Sequence, residues 1–139
     1  METSFYPADA GAKVAEHIRP NRHLIWVESP GSITMEVQDV PAIVAAAHAH
    51  GVIVAMDNTW AAGLLFNAFE HSVDISVQAL TKYIGGHSDL LLGSVTVREP
   101  ALFERLGAPP ARAWGYLSRR MQPCAAWPSF TGRAVASFI

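Results

Sequence analysis

Compact apolar runs and helically spaced apolar positions alternate along the chain. The runs predict four strands, at residues 24–27, 52–56, 73–78 and 90–97. The second run is too apolar to leave one face of a strand in water, which is typical of strands covered on both sides. Helices are predicted at residues 12–18, 40–47 and 100–106. This order indicates an α/β sheet with helices on its faces.

The helix in the middle of this pattern has clear start and stop signals. Asp39 is placed as its N-cap, Pro41 lies in the first turn, and Gly51 stands where a C-terminal glycine belongs. Together with the strands at 24–27 and 52–56, the helix forms a βαβ unit. Such units are expected to be parallel and right-handed.

Two ionisable residues lie at or just past the ends of predicted strands. Asp57 comes after the strand at 52–56, and Lys82 comes after the strand at 73–78. Ligands of open α/β sheets bind beyond the carboxyl ends of the strands, so one site could hold both residues. Each also has a structural explanation, because loop lysines are usually solvated and an aspartate after a strand often caps the next turn, here through Asn58 and Thr59.

Composition limits the classes of function. The chain has 139 residues, enough for one domain, of which 50% are hydrophobic and 16% charged, so a disordered charged tail is excluded. The net charge is -2 without a basic stripe, and no nucleic-acid partner is expected. No apolar run approaches the ~20 residues of a membrane span, and no signal peptide is apparent. Cys124 is the only cysteine, which favours a reducing, cytoplasmic setting.

Several other residues are assigned structural roles. His48 and His50 are two positions apart, so their side chains point to different sides of a helix and are expected to be solvated. No metal site is predicted. His87 is expected to make a structural hydrogen bond, and Gly85-Gly86 to form a turn. The apolar residues 64–66 are assigned to the core, and Cys124 has no base nearby that would make it a nucleophile.

Four short segments carry a resemblance to a known family. They are residues 28–32 (ESPGS), 57–61 (DNTWA), 81–83 (TKY) and 86–89 (GHSD). In this order and spacing they resemble the Cys/Met-metabolism family of pyridoxal-phosphate (PLP) enzymes, which have the aspartate-aminotransferase fold type. The likeness covers residues 4–114. It implies that the chain is part of the PLP-binding large domain, with a mostly parallel sheet flanked by helices.

The resemblance implies specific roles at matching positions. Lys82 would be the Schiff-base lysine and the proton shuttle, and Asp57 would pair with the pyridinium nitrogen, so that the ring can accept electrons. Thr81 would contact the phosphate. Ala79 lacks the hydroxyl that some relatives use for another phosphate contact. Trp60 and Tyr83 would pack near the site or support the core.

Two positions favour the β-acting lyases within the family. The chain has Ser32-Ile33 where γ-acting relatives usually carry Asn-Pro, and Ala79 where they commonly carry serine. The implied reaction is the β-elimination of cystathionine to homocysteine, pyruvate and ammonia, a step of methionine biosynthesis. A γ-acting relative, a cystathionine γ-synthase or methionine γ-lyase, is a second interpretation. A truncated, non-catalytic remnant is a third.

The resemblance also divides the chain. Family members are several hundred residues long and tetrameric, and this chain matches their middle. Residues 1–114 are assigned to a partial PLP-binding large domain, and residues 115–139 to a divergent tail that is not expected to continue the sheet.

The tail has a possible origin in a shifted reading frame. If residues 118–127 are written with G/C-rich codons, shifting the frame by one base gives Ser-Pro-Asp-Ala-Ala-Val-Arg-Gly-Leu. That string resembles the family continuation, so the tail is interpreted as frameshifted.

Overall fold

The computed structural model describes residues 2–106 and the backbone of two later strands. The elements are a 3-10 helix at Gly11–His17, strand β1 at Leu24–Glu28, helix α1 at Val40–Ala49, strands β2 at Ile53–Asp57, β3 at Ile75–Gln78 and β4 at Gly93–Val97, helix α2 at Pro100–Leu106, and strands β5 at Tyr116–Ser118 and β6 at Ala134–Phe138. The four predicted strands and three predicted helices are confirmed, and the first helix is of the 3-10 type.

All strands join one mixed sheet in the order β1-β2-β3-β4-β6-β5. The pairs β1-β2 and β2-β3 are parallel, whereas β3-β4, β4-β6 and β5-β6 are antiparallel. The predicted α/β sheet with flanking helices is confirmed, but parallel pairing does not extend beyond β3. The reason is local: the loop between β3 and β4 is closed by hydrogen bonds between Thr81 and Leu92, so the chain reverses without a crossover helix.

The later strands differ from the sequence prediction. Residues 134–138 pair with β4, with Gly93 opposite Phe138, and residues 116–118 pair with the outer side of β6. The prediction that residues 115–139 do not continue the sheet is therefore wrong for these two segments. Residues 111–139 show no clear hydrophobic period, and what makes these segments strands is their pairing with β4 and with each other, which the local pattern does not show. The division at 114/115 and the frameshift remain predictions.

The main core lies between α1, the 3-10 helix and one face of β1 and β2. Its buried members are Val14, Ile25, Val27, Val40, Ile43, Val44, Ala47, Val52, Val54, Met56, Ala68 and Val73. The helical spacing read from residues 40–47 is thus confirmed. Leu64 and Leu65 are exposed, so their assignment to the core is wrong; they lie in a turn after β2 rather than on an element facing α1. Phe66 does pack against the core.

The ends of α1 follow their sequence signals. The Asp39 carboxylate accepts a hydrogen bond of 3.1 Å from the backbone N–H of Ala42, and Pro41 lies in the first turn. Gly51, just past the last turn, has φ +69°, a value that glycine adopts without strain. Both caps are confirmed, and they fix where the chain leaves α1 and enters β2.

Candidate active site

The parallel strands β2 and β3 bring Asp57 and Lys82 to the same edge of the sheet. Asp57 is the last residue of β2 and pairs with Val77, the next-to-last residue of β3. Lys82 follows four residues after Gln78, the end of β3. Because carboxyl ends of parallel strands meet at one edge, both side chains lie where α/β sheets bind ligands.

The Asp57 carboxylate is fixed through one of its two oxygens. Its Oδ1 accepts hydrogen bonds from the Thr59 backbone N–H at 3.0 Å and from the Thr59 hydroxyl at 2.6 Å. Within residues 2–106, no hydrogen bond reaches Oδ2. The expected turn cap is thus present, and it leaves one oxygen of a partly buried carboxylate available to a donor such as a protonated ring nitrogen.

Thr59 also contacts the segment that leads to Lys82. Its Oγ1 accepts a hydrogen bond of 2.8 Å from the backbone N–H of Ala79. The sequence reasoning did not assign this contact. The Asp-x-Thr spacing was visible, but it indicates only the local cap, because the bond to Ala79 depends on how β2 and β3 lie side by side.

Lys82 lies on a tight turn with its side chain exposed. Its backbone N–H donates to the Ala79 carbonyl at 3.0 Å, and its own carbonyl accepts from the Gly86 N–H at 2.9 Å. No partner of the ammonium group occurs among residues 2–106. The backbone is therefore held while the amine is free to react. Gly86 has φ +73°, and a Cβ on Gly85 would come within 3.1 Å of Leu90, which confirms the predicted glycine turn.

The Thr81 hydroxyl is already engaged. It donates to the Leu92 carbonyl at 3.1 Å and accepts from the Leu92 N–H at 2.8 Å. A hydroxyl carries one hydrogen, so donating it to a phosphate oxygen would require giving up the bond to Leu92. In this structure Thr81 closes the loop that carries Lys82. Its contact with a phosphate remains a prediction.

The remaining candidate residues have defined contacts. His87 Nδ1 lies 3.1 Å from the Gly85 carbonyl oxygen, the expected structural hydrogen bond. His48 and His50 are exposed, but they are not simply solvated, because His48 contacts Asp74 at 2.9 Å and His50 contacts the Ala46 carbonyl. Trp60 and Tyr83, next to the site in sequence, are 39% and 57% exposed, and Cys124 lies outside the described residues.

The donor set at this edge of the sheet fits PLP. A lysine whose amine has no partner among residues 2–106 suits the cofactor aldehyde, and a carboxylate with one oxygen open within the same residues suits the ring nitrogen. Fold and site together define an α/β domain of a PLP-dependent enzyme. The sequence pattern of the family described as "Cys/Met metabolism PLP-dependent enzyme" matches residues 1–132, and the chain belongs to this family. The family and its cofactor, both predicted from the sequence, are confirmed.

Individual relatives support this assignment. The chain is 51% identical over 96 residues to cystathionine beta-lyase MetC of Escherichia coli, covering 68% of this chain and 24% of that protein. It is 44% identical over 106 residues to a cystathionine beta-lyase of Bordetella avium, covering 76% and 26%. The chain thus spans about a quarter of the length of these curated relatives.

A solved structure gives the same picture of the fold. Cystathionine gamma-lyase from Lactobacillus plantarum, complexed with L-serine, superimposes with a TM-score of 0.66 at 34% identity. The match covers 69% of this chain and 25% of that one.

In the part of the chain that the structure describes, no helix is long and apolar enough to cross a membrane.

Proposed function

We propose that this chain is the cofactor-holding part of a PLP-dependent carbon–sulfur lyase that cleaves cystathionine by β-elimination. Cystathionine and water would give homocysteine, pyruvate and ammonia, with the bond between sulfur and the β-carbon broken. The observation that carries the proposal is that Asp57 and Lys82 lie at one edge of the sheet, each with a functional atom that makes no bond to residues 2–106.

Lys82 and Asp57 would have different roles in the reaction. Lys82 would hold the cofactor aldehyde and, once displaced by the substrate amine, would take the proton from the substrate α-carbon. Asp57 Oδ2 would hold the proton on the pyridine nitrogen. Bound PLP supplies an acceptor for the electron pair left on the substrate. The turn at residues 80–85 keeps the backbone of Lys82 in place while its side chain moves.

The choice of β- over γ-elimination rests on two kinds of support. Ser32-Ile33 replaces the Asn-Pro of γ-acting relatives, and identity to the cystathionine beta-lyases reaches 51%, against 34% to the gamma-lyase of known structure. A γ-acting enzyme is the second candidate, since that gamma-lyase shares the fold. The products separate them, because β-cleavage of cystathionine gives pyruvate and γ-cleavage gives 2-oxobutyrate.

The first experiment uses the small number of lysines. Lys13 and Lys82 are the only two in the sequence, and Lys13 lies in the 3-10 helix. Adding PLP and then borohydride should fix the cofactor to the peptide that contains Lys82. Lys82→Ala should abolish this labelling, and Lys13→Ala should leave it unchanged. Labelling that does not depend on Lys82 would instead support the non-catalytic remnant.

Two further properties are proposed on the same basis. A tetramer is proposed from the family resemblance, in which sites borrow residues across a dimer interface. A reducing, cytoplasmic setting is proposed because Cys124 is the single cysteine and cannot form an internal disulfide. Size-exclusion chromatography with light scattering tests the first, and the free thiol content of the protein purified from cells tests the second.

A further inference from the structure

We infer that Thr59 is a positioning residue of the candidate site, whose hydroxyl sets the place of the Asp57 carboxylate relative to the Lys82 turn. The inference rests on the proposed function and adds a residue to it. Thr59 would touch neither cofactor nor substrate, and would act through Asp57 and Ala79.

The direction of each hydrogen bond follows from the chemistry of the groups. An ionised carboxylate has no hydrogen to give, so the Thr59 hydroxyl donates to Asp57 Oδ1 across 2.6 Å. A lone pair of the same hydroxyl accepts the Ala79 N–H across 2.8 Å. The hydrogen of the hydroxyl therefore has a fixed direction. Bonds aligned in this way polarise and strengthen one another.

The same residue, Ala79, then continues the connection to Lys82. The Ala79 carbonyl accepts the Lys82 backbone N–H at 3.0 Å. Asp57, Thr59, Ala79 and Lys82 thus form one connected path from the end of β2 to the lysine turn. Both bonds to Oδ1 come from Thr59, so rotating the carboxylate would break both of them and would move Oδ2.

A local turn cap alone would not require the hydroxyl. The Thr59 backbone N–H already donates to Asp57 Oδ1 at 3.0 Å, and this bond survives any side chain at position 59. What the hydroxyl adds is the link across to Ala79. Thr59→Val keeps the shape of the side chain and removes that link, whereas Thr59→Ser keeps the link and removes only a methyl group.

A control is available elsewhere in the chain. Thr34 also donates its hydroxyl to a carboxylate two residues away, to Glu36 at 2.7 Å, in the exposed loop after β1. Thr34→Val therefore deletes an equivalent local bond that does not reach the lysine turn.

The test compares the parent chain with these three variants. Two quantities are measured with PLP present: the Kd for PLP by fluorescence titration, and the pH dependence of the absorbance band of the bound cofactor. A third, the rate of hydrogen exchange at the Ala79 amide, is measured in the cofactor-free chain. We expect Thr59→Val to weaken PLP binding about tenfold, the size of one lost hydrogen bond to a charged group. It should also shift the pH dependence and speed Ala79 exchange, whereas Thr59→Ser and Thr34→Val resemble the parent.

Each other outcome overturns the inference in a distinguishable way. If the parent binds PLP through Lys82 and Thr59→Val binds it equally well with the same pH dependence, Thr59 does not position the site and the proposed function stands. If Thr59→Ser is as impaired as Thr59→Val, packing of the methyl group explains the effect. If the parent shows no binding that depends on Lys82, the proposed function and the role of Thr59 fail together. Should Thr59→Val not fold, Thr59→Ala takes its place.

Discussion

Two threonine hydroxyls are fully engaged at the edge of the sheet that carries the candidate site. Thr59 connects Asp57 to Ala79, and Thr81 bonds both the N–H and the carbonyl of Leu92. Each hydroxyl accepts a backbone N–H of a neighbouring segment, that of Ala79 for Thr59 and that of Leu92 for Thr81. Small polar side chains therefore hold the loops of this site together, while the two ionisable residues keep reactive atoms free.

Thr81 gives a prediction for stability. Thr81→Val leaves the partly buried Leu92 N–H without its acceptor, and leaving such a group unpaired costs about 1 to 3 kcal/mol. We expect a lower free energy of unfolding in urea, whereas Thr81→Ser, which keeps the hydroxyl, should stay close to the parent. Equal stability of Thr81→Val and the parent would contradict the role of Thr81 in closing the loop.

The sequence indicated the ionisable residues of the site but not the groups that hold them. Asp57 and Lys82 could be proposed because Asp57 directly follows an apolar run, Lys82 comes four residues after the next strand, and each lies in a family-like segment. Thr59 could not be assigned, because its bond to Ala79 joins residues twenty positions apart across two strands. The partner of the Thr81 hydroxyl depends in the same way on how the later loop folds back.

Helix α1 shows, at the scale of an element, why some boundaries are readable. Its start and end depend on Asp39 and Gly51, whose effects are local, and both were found from the sequence. The start of β4 was placed three residues early, because residues 90–92 are apolar. Leu91 is in fact 82% exposed and belongs to the loop. Apolar character without a partner strand is not enough to define a strand.

The N-cap of α1 can be tested directly. Asp39→Ala removes the acceptor for the Ala42 N–H, and losing such a cap typically costs about 1 kcal/mol. We expect Asp39→Ala to lower the thermal unfolding midpoint. Asp39→Asn, which can still accept this bond, should retain most of the stability. If both variants had the same thermal unfolding midpoint as the parent, the cap would contribute nothing measurable to stability.

At the scale of the whole molecule, β1 stands out as an edge strand. Among the described strands it has one neighbour, and Leu24 and Trp26 are 49% and 50% exposed on the face opposite α1. An edge strand with apolar side chains is a template for pairing with another chain. This edge is therefore a surface at which two copies of the chain could associate.

Self-association is therefore expected to depend on β1. Trp26→Lys places a charge on the exposed face of the edge strand and should weaken association roughly tenfold, the effect of losing one buried large apolar side chain. Leu65→Lys is the control, because Leu65 is 87% exposed but lies in a turn rather than on an edge strand. Sedimentation velocity over a range of concentrations measures both. Equal association of the two variants would exclude a special role for β1.

The closed loop between β3 and β4 limits how the site can change over evolution. Its two ends, at Thr81 and Leu92, are joined by three hydrogen bonds, and β4 pairs with β3 directly beyond them. A length change between Gln78, the end of β3, and Thr81 would either break this closure or shift β4 by one position and turn its buried side chains outward. Exposed positions such as Leu91 can vary in chemical type. The two residues between β3 and Thr81 therefore cannot change in number without a cost to the sheet, so change in that segment must proceed by substitution.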